Sequence, residues 1–183
     1  DDTRGGKLTY YTDDVWKERM NGYLFWKNDT YILIQNWFIP KDPQVAIPAR
    51  LYALASYYLG KGQRSLYTFM APKHVLPEEL LDLGAPAPDP VYQPDNPIQA
   101  YAHPAVPEVY WRRFSKGQVY VNPSSTQAYS LTLPAPKYVI TPQKEGIATG
   151  GCLTYTSTKT VSLPKHSGAI VLNQIPASQS YNC

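Results

Sequence analysis

Trp111-Arg112-Arg113-Phe114-Ser115-Lys116-Gly117-Gln118-Val119-Tyr120-Val121-Asn122-Pro123-Ser124 is the stretch whose reading decides the fold. Two runs of aromatic and β-branched residues flank Ser-Lys-Gly, the pattern of a strand, a tight turn and a returning strand. Gly117 is expected to supply the positive φ that such a turn needs. Pro123 has no N–H to give to a ladder, so the second strand should end at Asn122. Upstream of this hairpin the chain mixes helical and strand periodicities; downstream it is a series of short strands.

Working back towards the start, Leu8-Thr9-Tyr10-Tyr11 reads as a short strand, and Thr12-Asp13-Asp14 offers cap oxygens and negative charge to a helix N-terminus. Trp16, Met20, Tyr23 and Leu24 recur at helical spacing and mark one apolar face of a helix ending near Trp26. Lys27-Asn28-Asp29 is a turn. Residues 30–35 form a nearly continuous apolar run, which predicts a parallel strand covered on both faces. Pro48 can open the next helix; its buried stripe is Leu51, Tyr52, Leu54, Ala55, Tyr58 and Leu59, and Gly60 stops it. Ser65-Leu66-Tyr67-Thr68-Phe69 is the third strand. Residues 1–70 are thus expected to be a β-α-β-α-β portion with parallel strands, cut from a larger sheet or barrel.

Residues 71–107 lose periodicity, and prolines recur every few positions, so this segment reads as an extended connector. Its Leu76, Leu80, Leu81 and Leu83 favour packing over a neighbouring surface. Residues 108–183 hold the hairpin and further strands at 128–133, 138–140, 153–155, 160–163 and 169–172, which predicts a small antiparallel β-sandwich. The expected fold class is α/β plus all-β.

Composition narrows the function classes. Across 183 residues the net charge is only +3 and no Lys/Arg cluster exceeds the Arg112-Arg113 pair, so nucleic acid is not an expected partner. No run of ~20 apolar residues exists to span a membrane as a helix. Charged residues make up 17%, while Tyr (16) and Pro (18) are heavily used, a bias of secreted proteins that bind sugars or stand on surfaces. There is no initiator Met or basic-then-apolar leader, which reads as a start inside a mature protein or a fragment. Cys152 and Cys183 are the two cysteines, either a disulfide pinning the tail or two buried thiols. Asn28-Asp29-Thr30 is a glycosylation sequon. His74, His103 and His166 lie in separate Pro-rich turns without ligand spacing, and no phosphate-binding loop or nucleophile elbow occurs. Neither a metal nor a cofactor is expected.

Three blocks carry a resemblance. They are Pro77-Glu78 with Asp82-Leu83-Gly84-Ala85-Pro86, the hairpin from Arg113 to Ser124, and Val161-Ser162-Leu163-Pro164-Lys165-His166-Ser167-Gly168-Ala169. In them the chain resembles the C-terminal part of putative TIM-barrel glycoside hydrolases that carry a small C-terminal β-sandwich. The resemblance implies that residues 1–70 are the terminal part of a barrel, a fold that needs ~250 residues by itself. The earlier strands, where such families keep at least one catalytic carboxylate, would then lie elsewhere.

Glycoside hydrolysis needs two carboxylates ~5 to 9.5 Å apart, according to stereochemistry. Asp13 and Asp14 follow a strand directly, as rim residues of a barrel do, but they serve equally as the first turn of a capped helix. Gln35, Asn36 and Trp37 end the second strand at the same level, where amides bond sugar hydroxyls and an indole stacks on a pyranose; loop and core roles are the alternatives. Tyr67 is a subsite or a core residue. Glu78, Glu79 and Asp82 form an acidic cluster read as solvated surface. The leading expectation is the C-terminal region of a secreted or surface glycoside-hydrolase-like protein, not catalytic alone, that acts on or binds polysaccharide. The alternatives are a non-catalytic carbohydrate-binding protein and an extracellular structural subunit that self-associates. Its partners would be carbohydrate and either a preceding barrel portion or further copies of the chain.

Overall fold

The computed structural model describes residues 10–36, 43–69, 75–91, 94–144, 146–177 and 181–183. It is a mixed α/β structure built on a six-stranded antiparallel sheet, with two helices and a separate pair of parallel strands.

Helix α1 (Asp13–Trp26) starts where its cap does: the Thr12 hydroxyl accepts from the Val15 N–H at 3.4 Å, and Asp13 and Asp14 bring negative charge to the first turn. Trp16, Met20, Tyr23 and Leu24 are all buried, as their spacing predicts. Of the strand expected at 8–11, Leu8 and Thr9 lie outside the described residues, and Tyr10 and Tyr11 belong to no strand. Tyr10 is held by its ring, stacked on His166 at 4.6 Å and edge-on to Tyr52 at 5.6 Å.

Strand β1 (Ile32–Asn36), helix α2 (Pro43–Gly60) and strand β2 (Ser65–Phe69) make one βαβ unit with parallel strands in register Ile32↔Ser65. Burial on both faces does not hold. Tyr31, Leu33 and Leu66 are 76%, 57% and 58% exposed, while Ile32, Ile34 and Tyr67 pack on the core. A continuous apolar run marks a parallel strand but cannot say how many layers cover it. The helix opens at Pro43, five residues before Pro48, which lies inside it. Pro43 has the N-terminal role expected of Pro48, because a proline costs least at the first helical position. Gly60 ends the helix as expected, and Tyr52, Leu54, Ala55, Tyr58 and Leu59 are buried.

Among its described residues the connector is mostly irregular but includes 3₁₀ turns at Pro77–Leu80 and Pro97–Tyr101, and its end is not connector at all: Ala102–His103 and the start of Val106–Arg113 are already strands of the sheet. Leu76, Leu81 and Leu83 are buried, whereas Leu80 faces solvent. The acidic cluster is not all solvated. Glu78 is 1% exposed and takes Arg50 Nε at 2.7 Å, while Asp82 stays outside and pairs with Lys116.

The sheet runs β3 (Ala102–His103), β4 (Val106–Arg113), β5 (Gly117–Asn122), β8, β6, β7, with β6 (Tyr129–Gln143), β7 (Cys152–Leu163) and β8 (Ser167–Leu172). The hairpin β4–β5 is where the sequence puts it, and β5 ends at Asn122. Gly117, however, is not among the glycines with positive φ, which among the described residues are Gly84 and Gly150. Its need is space, since a Cβ there would sit 2.4 Å from the Val171 carbonyl oxygen on β8. The four short strands expected at 128–133, 138–140, 153–155 and 160–163 are two long ones. Pro134 and Pro136 read as terminators, but they fall in the register shift between Thr132 and Lys137, where the ladder is already interrupted.

That irregularity lets the β6–β7 ribbon serve two clusters. Leu131, Leu133, Val161 and Leu163 pack with Val109, Tyr120, Ala169 and Val171, while Ile140 and Leu153 join the larger cluster with α1, α2 and the opposite sheet face. Helix α2 lies directly on β8: a Cβ at Gly168 would be 2.6 Å from the Leu51 carbonyl oxygen. The described residues thus show one βαβ unit and no barrel. Cys152 and Cys183 are bonded, with Cα atoms 5.3 Å apart. Among the described residues no helix is long and apolar enough to cross a membrane. The bond and that observation are compatible with secretion.

Candidate functional site

A cleft of about 260 Å³ opens where the N-terminus of α1 meets the sheet. Asp13 and Lys17, one helical turn apart, form one wall; Pro107, Glu108 and Tyr110 of β4 face them, and Gln99, Pro123, Ser124 and Tyr129 complete the lining.

The loop after β5 is fixed by a single buried amide. Asn122 donates from Nδ2 to the carbonyls of Gln127 (2.9 Å), Leu163 (3.1 Å) and Pro164 (2.8 Å), and its Oδ1 accepts from Ser124 N–H at 3.0 Å. Ser124 Oγ accepts from the N–H groups of Thr126 and Gln127. The next amide, Ser125 N–H, donates to Asp13 Oδ1 at 2.9 Å. The loop and the first turn of α1 are tied together, which sets the width of the cleft at that end.

The electrostatics show the two carboxylates acting on one space. Burial raises the pKa of the Tyr110 and Tyr129 hydroxyls, and the charges of Glu108 and then Asp13 raise both further. Both hydroxyls therefore remain protonated and able to donate. Next to the cleft, His166 stacks on Tyr10; its Nε2 and the Tyr52 hydroxyl are buried without a hydrogen-bond partner. Burial lowers the His166 pKa against the smaller opposing pull of Asp13. The chemistry on offer is hydrogen-bond donors and acceptors set among proline and tyrosine surface.

Of the residues singled out in the sequence, Asp13 is in this cleft, and Asp14 is exposed in the same turn without lining it. Gln35 is exposed on β1 opposite Thr68, and Tyr67 pairs with Ile34 on the other side of the pleat, half-buried against Tyr57 at 5.0 Å. Burial first, then the charges of Glu79 and Glu78, hold the Tyr67 hydroxyl well above its ordinary pKa. Gln35 and Tyr67 are thus not brought together. The backbone of Asn36 closes β1 beside Phe69, its side chain lies outside the described residues, and so does Trp37. Asn28 is exposed in the turn after α1. His74 is outside the described residues, and among the described ones no group of three His, Cys, Asp or Glu side chains could hold a metal ion.

Sequence reasoning missed Glu108, Tyr110 and Tyr129. Glu108 carried a weak signal, a carboxylate just before the run Val109-Tyr110-Trp111 on a strand that also ends in Arg112 and Arg113; Tyr110 and Tyr129 carried none. It also missed a charge network in which the buried Lys27 and Arg112 and the Tyr101 hydroxyl meet Asp89, whose carboxylate is partly exposed.

No protein-family model matches the chain, and comparisons with curated proteins and with solved structures found no significant match.

Proposed function

We propose that the chain is the C-terminal region of a secreted glycoside-hydrolase-like protein. Its βαβ unit belongs to the end of a TIM-like barrel, its six-stranded sheet is a supporting β-sandwich, and it binds polysaccharide without hydrolysing it alone. The observation that carries this reading is the cleft, where Asp13, Glu108, Gln99 and two tyrosine hydroxyls surround a space of about 260 Å³. That is slightly below the ~300 Å³ at which pockets for drug-sized ligands begin, a size for a short stretch of a chain rather than a large cofactor. Supporting it, β1 and β2 are parallel yet leave Leu33 and Leu66 exposed, whereas parallel sheets are normally covered on both faces. Further β/α units would cover that face.

The test is titration of the full chain with a panel of oligosaccharides, beside a turnover assay on aryl glycosides. Binding that Tyr129→Ala weakens at least tenfold, without turnover, is the expected result. Binding unaffected by Tyr129→Ala and Glu108→Gln would remove the cleft from the reading. Turnover abolished by Asp13→Asn would make the chain an enzyme in its own right.

The exposed face Tyr31, Leu33 and Leu66 favours a second reading, an extracellular subunit that self-associates through this strand pair. Sedimentation that stays monomeric at high concentration would exclude it.

A further inference from the structure

Helix α1 ends in Phe25 and Trp26, which are 49% and 54% exposed although both are large and apolar. Immediately after them comes Lys27, which is 1% exposed and points inward: its Nζ lies 2.7 Å from Asp89 Oδ2 and donates to the Tyr101 hydroxyl at 3.1 Å. Asn28, Asp29 and Thr30 then turn back through solvent. The turn is closed by the N–H groups of Asp29 and Thr30, which both donate to the Trp26 carbonyl, at 3.1 and 3.2 Å. Arg64 holds it from the other side, donating to the Asp29 carbonyl at 3.3 Å while its guanidinium lies over the Tyr31 ring. Exposed Trp26 and exposed Asn28 thus stand two residues apart at one tight reversal, with the buried Lys27 between them. Phe25 packs edge-on against the Trp26 indole at 4.8 Å.

We propose that Asn28 carries an N-linked glycan whose first N-acetylglucosamine lies on the Trp26 indole. Asn28-Asp29-Thr30 supplies the acceptor amide and the hydroxyl two residues on, with no proline between them. Trp26, two residues before the asparagine, supplies a π-face for the C–H face of the pyranose. In the transfer, Asn28 Nδ2 attacks C1 of the sugar in a polyprenyl-diphosphate-linked oligosaccharide. A C1–N bond forms, the C1–O bond to the diphosphate breaks, the diphosphate leaves with the electron pair, and one amide proton is released. Nothing is oxidised or reduced. The inference rests on secretion, with which the Cys152–Cys183 bond is compatible. It does not require the cleft to bind sugar.

The placement leaves the cleft open. Asp13 and Lys17 line it from the first turns of α1, whereas Asn28 lies beyond the other end of the helix, about 20 Å away along the axis. A glycan at Asn28 covers exposed indole without competing for the cleft.

The experiment is secretion of the full chain from a eukaryotic cell line, followed by peptide mass mapping and by thermal unfolding before and after enzymatic removal of the glycan. Asn28 should be occupied in the wild type and in Trp26→Ala, and unmodified in Thr30→Ala. Deglycosylation should lower Tm by about 2–4 °C in the wild type and in Trp26→Phe, which keeps a ring, but by less than about 1 °C in Trp26→Ala. Secreted protein with Asn28 unmodified overturns the site. A glycan whose removal shifts wild type and Trp26→Ala equally overturns the stacking on Trp26.

Discussion

Lys27 and Arg112 bind opposite oxygens of one carboxylate: Lys27 Nζ is 2.7 Å from Asp89 Oδ2, and Arg112 Nη2 is 2.6 Å from Oδ1. Arg112 Nη1 at the same time donates to the carbonyls of Tyr58 and Leu59 in the last turn of α2 and of Lys61 just beyond it. One carboxylate of the connector thus joins the end of α1, the end of α2 and strand β4. Burial raises the Asp89 pKa, but hydrogen bonds from Lys27 and Tyr101 and the charges of Lys27 and Arg112 outweigh it and hold the group below its ordinary value.

Asp89→Asn leaves two buried cations without their counter-charge, and because the Asp89 side chain is itself 29% exposed the roughly 3–5 kcal/mol of a fully buried pair is reduced here by solvent screening to about 1–3 kcal/mol. Urea denaturation at pH 7 should show a loss of that order. Because the folded pKa is depressed, Asp89 contributes fully above its unfolded value and loses its contribution as pH falls through the folded one, below about 3.9. The variant should therefore have a flatter acid limb than the wild type.

Two glycines should respond oppositely to a methyl group. At Gly168 a Cβ would meet the Leu51 carbonyl oxygen at 2.6 Å, Ala55 Cβ at 2.7 Å and Tyr52 Cα at 2.9 Å, all parts of α2 that cannot swing away. Gly168→Ala is expected to cost about 1–3 kcal/mol by forcing α2 off β8. Gly22, inside α1, has open space around its would-be Cβ, so Gly22→Ala should gain roughly 0.5–1 kcal/mol. A destabilised Gly22→Ala would contradict the placement of α1's outer face.

These cases mark what the sequence could and could not say. The stripe Trp16, Met20, Tyr23 and Leu24, the stop at Gly60 and the strand Ser65–Phe69 follow from local periodicity and local breakers, and all three stand as read. The long strands β6 and β7 do not, because a proline reads as a terminator unless one knows that the ladder skips a register there. The buried charges were illegible for a similar reason. Nothing near Glu78 in sequence announces Arg50, so composition assigns the acid to solvent. The cleft is illegible in the same way: Asp13 was a candidate beside its neighbour Asp14, while its spatial counterpart Glu108 comes from β4.

The imidazoles set a second pH dependence. Burial lowers the pKa of His103, which lies edge-on to Trp111, and lowers that of His166 despite the partial opposition of Asp13. A histidine whose folded pKa lies below its unfolded value of about 6.5 contributes fully above that pH, and the contribution is lost as pH falls below it. Tm should therefore decline as pH drops from about 6.5 towards 5, ahead of any loss from Asp89. His166 has φ 46, a conformation Asn tolerates, so His166→Asn should fold and make this decline shallower. An unchanged slope in His166→Asn combined with His103→Gln would show that neither group is responsible.

Glu108 and Asp13, if they share the cleft, should act on the same two tyrosines. Burial is the largest cause of the raised pKa at Tyr129 and Tyr110, with Glu108 next and Asp13 after it. Glu108→Gln removes one negative charge while keeping the side chain's shape, so both hydroxyls should ionise at lower pH than in the wild type. Asp13→Asn should move the same two tyrosines in the same direction by a smaller amount. Carbon NMR of ring-labelled tyrosine resolves this residue by residue, and Tyr155, raised by burial and by Tyr181 instead, is the internal control that should stay still. Asp13→Asn also weakens the acceptor for Ser125 N–H, so its loop signals should shift while those of Glu108→Gln do not. If neither substitution moves Tyr110 and Tyr129, the carboxylates do not act on one space.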